Sequence, residues 1–117
     1  MKHDVGSIEV ICGSMFCGKT EELIRRLRRA RIAKQQVQVF KPALDNRYNQ
    51  KKVTSHSGID VDALPVEDSN EVLKALEAGT TVVGVDEVQF FDDGIVEVVE
   101  YLAEQNVRVI VTGLDMD

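Results

Sequence analysis

Residues 13 to 20 read Gly13-Ser14-Met15-Phe16-Cys17-Gly18-Lys19-Thr20, two glycines five apart followed at once by a lysine and a threonine. Glycines at that spacing let a loop wrap closely enough to aim backbone N–H groups at an anion, and a helix starting near Gly18 adds its positive dipole end. The next two residues suit a nucleotide triphosphate: Lys19 would reach the β/γ oxygens, and Thr20 would offer its hydroxyl to Mg2+. The pattern G-x-x-x-x-G-K-[ST] carries this meaning only between a strand and a helix. Ser7-Ile8-Glu9-Val10-Ile11-Cys12 before it and an amphipathic segment after it supply that setting.

A second chemical group is Asp86-Glu87-Val88-Gln89, directly after the apolar run Thr81-Val82-Val83-Gly84-Val85. In a parallel sheet, ligands gather at the carboxyl ends of the strands, so Asp86 should face the Mg2+ side of Lys19 and Thr20. Glu87 stands one residue farther out. A carboxylate there can orient a water for ATP hydrolysis or accept a proton from a substrate hydroxyl.

The elements that must hold these groups alternate between strands and helices, which predicts a parallel sheet with helical crossovers. The first strand ends at about Cys12. A helix from Lys19 to about Lys34 sets Leu23, Leu27 and Ala30 on one face, with Ile24 and Ile32 nearby. Strand two is Gln36 to Lys41, stopped by Pro42. Residues 42 to 52 are polar and turn-rich, and 53 to 64 suggest a small hairpin or extended excursion; this is the loop expected to carry function. Asp68 with Glu71 three residues on starts a helix running to about Ala78, before Gly79. The run from Thr81 to Val85 is strand three, apolar enough to be buried on both faces. Asp92 or Asp93 caps a helix carrying Ile95, Val98, Val99 and Leu102, and Val107 to Thr112 is strand four. The expected fold class is α/β: a P-loop NTPase core, mainly parallel sheet with helices on both faces, in one domain over residues 1–117.

Composition narrows the function. The 117 residues are 44% apolar and carry a net charge of -6, which argues against a general nucleic-acid surface. Residues 19 to 34 dissent, with seven cations against two acids, a local +5. Glu21 and Glu22 in the first turn and the cations towards the last fit a solvated helix face. Cys12 and Cys17 suggest neither a disulfide nor a zinc site: Cys12 reads as a small buried residue, Cys17 as a passive loop position. No run of about 18 apolar residues and no signal peptide is present, so a cytoplasmic protein without a membrane partner is expected.

Taken in order, the stretch from Cys12 to Leu23, Lys41-Pro42 through Asp45-Asn46-Arg47-Tyr48, Ser55-His56-Ser57-Gly58, Asp86-Glu87-Val88-Gln89-Phe90-Phe91 and Gly113-Leu114-Asp115-Met116-Asp117 closely resemble the type II thymidine kinases. The resemblance implies transfer of the ATP γ-phosphoryl to the 5'-hydroxyl of thymidine. It implies that Gly13 to Thr20 hold the triphosphate, that Asp86 to Gln89 form a second nucleotide-contacting segment, and that Glu87 is the proton acceptor. Asp45 and Arg47 would lie by the phosphates and Mg2+, while His56 is expected to face solvent. The family also implies a homo-oligomer, a tetramer, a lasso-like loop over the thymine and a structural Zn2+ in a four-cysteine ribbon. No cysteine follows Cys17, so the zinc site is not expected to form within these residues, and the chain reads either as a fragment or as a shortened relative that lost base recognition. Rival readings are a P-loop ATPase without a nucleoside substrate and a non-catalytic assembly piece that uses the arginine-rich helix for subunit contact.

Overall fold

The computed structural model describes residues 6–12, 18–44, 51–55 and 58–113. Within them the expected alternation is present: β1 (Ser7–Cys12), α1 (Lys19–Ile32), β2 (Val37–Pro42), β3 (Lys52–Thr54), β4 (Asp60–Asp62), β5 (Leu64–Val66), α2 (Ser69–Ala75), β6 (Val82–Val85), α3 (Gly94–Glu104) and β7 (Arg108–Gly113). Five strands form one sheet in the order β1-β7-β6-β2-β5, every neighbouring pair parallel. The last strand of the described chain thus lies between the first strand and β6. An antiparallel hairpin, β3 with β4, stands apart from the sheet.

Alternation along the central strands sends successive side chains into two cores. Phe40, Val83, Val85, Val109 and Val111 pack with Val72 of α2 and with Ile95, Val98, Val99 and Leu102 of α3. Val39, Val82 and Ile110 face the other way, onto Leu23, Ile24, Leu27 and Ala30 of α1 and onto Val53 and Val61 of the hairpin. All four β6 residues are buried, as a strand covered on both faces requires. Helices therefore lie on both faces.

Burial, not charge, docks α1. Leu23, Ile24 and Leu27 are fully buried, each contributing about 1.5–3 kcal/mol, whereas an exposed ion pair contributes roughly 0–1 kcal/mol. Several helix cations have specific partners nonetheless. Arg25 pairs with Glu21 and Glu22, and Arg26 bridges Glu22 at 2.7 Å and Glu9 of β1 at 2.9 Å. Arg28 donates to the Asp60 carbonyl at 2.8 Å, tying α1 to the hairpin. Glu9 also accepts from Arg108 of β7 at 2.5 Å, and that bond, with Arg26 adding to it, holds its carboxyl below the usual range.

Three expectations need correction. Strand two does not stop before Pro42 but includes it, because β5 pairs alongside, Pro42 opposite Val66. Leu64 belongs not to the hairpin excursion but to β5, an edge strand of the main sheet centred on Pro65. Finally, α2 ends at Ala75 rather than about Ala78. The cause is Gln38 of β2, whose amide donates to the Ala75 carbonyl at 3.1 Å and accepts from the Glu77 N–H at 2.8 Å and the Thr80 hydroxyl at 2.7 Å. These bonds meet the polar groups that another helical turn would have used.

The start of α2 is as expected: the Asp68 side chain accepts from the Glu71 N–H at 3.1 Å. At α3 the two aspartates divide the work: Asp93 stands at the cap position without a side-chain capping bond, and the side-chain bond comes from Asp92. Asp92 accepts from Gly94 N–H at 3.2 Å and also from the Ser69 hydroxyl at 2.7 Å and amide at 2.8 Å, joining the starts of two helices. None of the helices among the described residues is long and apolar enough to cross a membrane.

Candidate active site

The helix behind the glycine loop begins as the sequence requires. Gly18 precedes α1 at φ 76°, ψ 18°, a left-handed conformation that glycine adopts without the penalty of a Cβ. Gly18 has no side chain with which to cap this end, which leaves the leading amides of α1 uncapped by it. Lys19 and Thr20 follow in the first turn. The remaining loop residues, Gly13, Ser14, Met15, Phe16 and Cys17, lie outside the described residues, as do Asp45, Arg47 and His56.

Three segments converge on a cavity of ≈ 140 Å³. Thr20 comes from α1, Asp86 and Glu87 from the end of β6, and Lys41 and Pro42 from the end of β2. The β3 strand, residues 52 to 54, closes one side. Thr20 and Asp86, 66 positions apart in sequence, thus line one cavity at the carboxyl edge of the sheet. Lys19 is near enough to Asp86 to favour its charged form.

Asp86 is 5% exposed, and burial pushes its carboxyl up from the ordinary value near 3.8. A hydrogen bond from Thr112 is the strongest opposing influence; the Glu87 charge adds to the rise and Lys19 opposes it. Glu87 departs from regular geometry, with φ 53° and ψ 52°. For a residue with a Cβ this conformation costs on the order of 1–2 kcal/mol, and such strain concentrates at functional sites. The turn swings the chain out of β6 into a single 3-10 turn, Val88–Phe90, and carries Val88 and Gln89 over the end of β7. Gly113 permits that approach, because a Cβ there would stand 2.9 Å from Val88 Cγ1 and 3.2 Å from Gln89 Oε1.

Two side chains were not singled out in the sequence. Lys41 is 7% exposed and donates from Nζ to the Lys52 carbonyl at 2.8 Å, linking β2 to the hairpin at the cavity wall. Thr112, fully buried, donates to Asp86 Oδ1 at 2.6 Å. A lysine directly after Val39-Phe40 and a threonine ending the run Val109-Ile110-Val111 were the available signals.

A divalent cation fits this arrangement. Mg2+ needs only one or two carboxylates when substrate phosphates and waters complete its shell. Thr20 and Asp86 both line the cavity, and their hydroxyl and carboxylate oxygens are the ones that could take such a cation. Among the described residues no group of three or more His, Cys, Asp or Glu could hold a metal by itself.

Comparison with known proteins gives a family for the chain. The family model described as thymidine kinase matches residues 6–117. Curated proteins named thymidine kinase from two strains of Porphyromonas gingivalis are each 58% identical over 112 residues, covering 96% of this chain and 54% of their own length. The chain spans about half the length of these relatives.

Proposed function

The chain belongs to the thymidine kinase family, and from that membership we propose that it carries the ATP-handling part of an enzyme that phosphorylates thymidine. The observation that supports this most directly is the meeting of Thr20, Asp86 and Glu87 on one cavity.

In this reading the loop from Gly13 to Gly18 and the leading amides of α1 hold the triphosphate, with Val88 and Gln89 as further nucleotide contacts. Lys19 places its ammonium on the β/γ oxygens, and Asp45 and Arg47 stand beside the phosphates. Thr20 and Asp86 would hold Mg2+, which would supply neutralisation of phosphate charge. Glu87 takes the proton of the thymidine 5'-hydroxyl as that oxygen bonds to the γ-phosphorus. The bond from the γ-phosphorus to the bridging oxygen breaks, and ADP leaves with the electron pair. Phosphoryl transfer depends chiefly on positioning and electrostatics, so a fixed carboxylate beside a phosphate cradle is the machinery required. The family further suggests a cytoplasmic homo-oligomer, a tetramer, acting on small molecules and not on nucleic acid or membranes.

The test is ADP formation from Mg-ATP with and without thymidine. Thymidine-dependent ADP supports the reading; equal ADP without nucleoside, or ADP stimulated by DNA, refutes it in favour of an ATPase. Lys19→Ala should weaken ATP binding by about tenfold to a hundredfold, the loss of a charge-assisted contact of roughly 1.5–3 kcal/mol. Titration of the folded variant with a fluorescent ATP analogue checks this, and unchanged affinity would remove Lys19 from the phosphate site.

A further inference from the structure

The acid segment after β6 is held by a hydroxyl from a different strand. Because β7 lies between β1 and β6, its last inward side chain, Thr112, arrives beside Asp86 and Glu87. Thr112 Oγ1 donates to Asp86 Oδ1 at 2.6 Å and accepts from the Glu87 backbone N–H at 3.0 Å. Both directions are fixed by chemistry: an ionised carboxylate only accepts, an amide only donates, and a hydroxyl has one proton and two lone pairs with which to do both. The two bonds act on different things. One turns the carboxylate, and the other fixes the peptide plane entering the left-handed residue Glu87.

We propose that Thr112 is a positioning residue of the phosphoryl-transfer site, its single hydroxyl setting both the oxygen that Asp86 presents to the metal and the direction of the Glu87 carboxylate. The proposal rests on the kinase reading above. Thr112 touches neither nucleotide nor nucleoside in that scheme; it acts through its two neighbours. Side chains around metal ligands typically change affinity by about 10–100-fold when lost, so a shared anchor should leave a mark on metal binding separate from any mark on folding.

The test compares Thr112→Val, which keeps the shape and loses the hydroxyl, with Thr112→Ser, which keeps the hydroxyl. Thr112→Cys serves as the second hydroxyl-free variant should the valine protein not fold. Binding of Mn2+ in the presence of a non-hydrolysable ATP analogue is followed by electron paramagnetic resonance, alongside metal-free nucleotide affinity, kcat with thymidine and the melting temperature. The expected result is about tenfold weaker Mn2+ binding in the hydroxyl-free variants, a lower kcat at saturating metal and nucleotide, unchanged metal-free nucleotide affinity, and recovery of both lost quantities in the serine variant. Wild-type Mn2+ affinity and kcat in a folded hydroxyl-free variant would overturn the proposal, as would a serine variant impaired equally, since the methyl group would then be the part that matters. Thymidine-independent ADP formation by the wild type with the Mn2+ pattern as expected would refute the kinase reading while retaining Thr112 as an anchor of Asp86. Absence of Mn2+-nucleotide binding in the wild type would overturn both.

Discussion

Glu87→Gln should lower turnover by about 10^2 to 10^4 while leaving ATP affinity nearly unchanged. The amide keeps the size of the side chain and loses the ability to take a proton. The unusual backbone at this position, φ 53°, ψ 52°, is anchored through its own N–H to Thr112, a bond the substitution does not touch. A fall in kcat with an intact Kd for ATP therefore isolates proton acceptance from positioning. The decisive comparison is single-turnover kinetics of variant and wild type at saturating ATP and thymidine. Near wild-type turnover would show that some other group receives the proton.

Asp86→Asn should have effects of opposite sign on function and stability. Losing the carboxylate should weaken Mg2+-dependent nucleotide binding on the order of a hundredfold, at the upper end of what disturbing the surroundings of a metal ligand does. The ligand-free protein, however, should become more stable. Burial raises the Asp86 pKa above its unfolded value near 3.8, so its contribution to stability is fully present below that value and is lost as pH rises through the folded pKa. Once ionised, the group is thus a net burden on the empty fold. Asparagine removes that burden and still accepts the Thr112 proton at Oδ1. The expected outcome is a higher melting temperature for the ligand-free variant. Calorimetry of both proteins from pH 4 to 8 without nucleotide tests this, and the gap should widen as pH rises. A variant less stable than wild type at pH 8 would mean that the carboxylate stabilises the empty site.

Much of this architecture was legible because the residues announce their surroundings locally. The unbroken apolar run of β6 signals cover on both faces, the spacing of Leu23, Leu27 and Ala30 signals a helix with one buried side, and Asp68 with Glu71 signals a helix start. Features set by distant partners were not legible. Nothing near Ala75 says that Gln38 will end the helix, and three residues around Pro65 are too short and too poor in amide donors to announce a strand. At the site, Lys19, Thr20, Asp86 and Glu87 could be paired from spacing and strand order. The part played by Thr112 could not, since it follows from β7 lying between β1 and β6.

That strand order also governs how the molecule comes into being. Among the described residues the sheet partner of β1 is β7, with Ser7 opposite Arg108, and Glu9 meets Arg108 across 99 positions of chain. A ribosome adding about 5–20 residues per second takes on the order of 5–20 s to cover that distance. For that interval the strand leading into the glycine loop has no neighbour to pair with, and α1 lacks Ile110, part of the floor on which it rests. On the proposed function, nucleotide binding should therefore wait for β7, and nascent chains halted before Arg108 should not retain an ATP analogue that chains extended beyond Gly113 do.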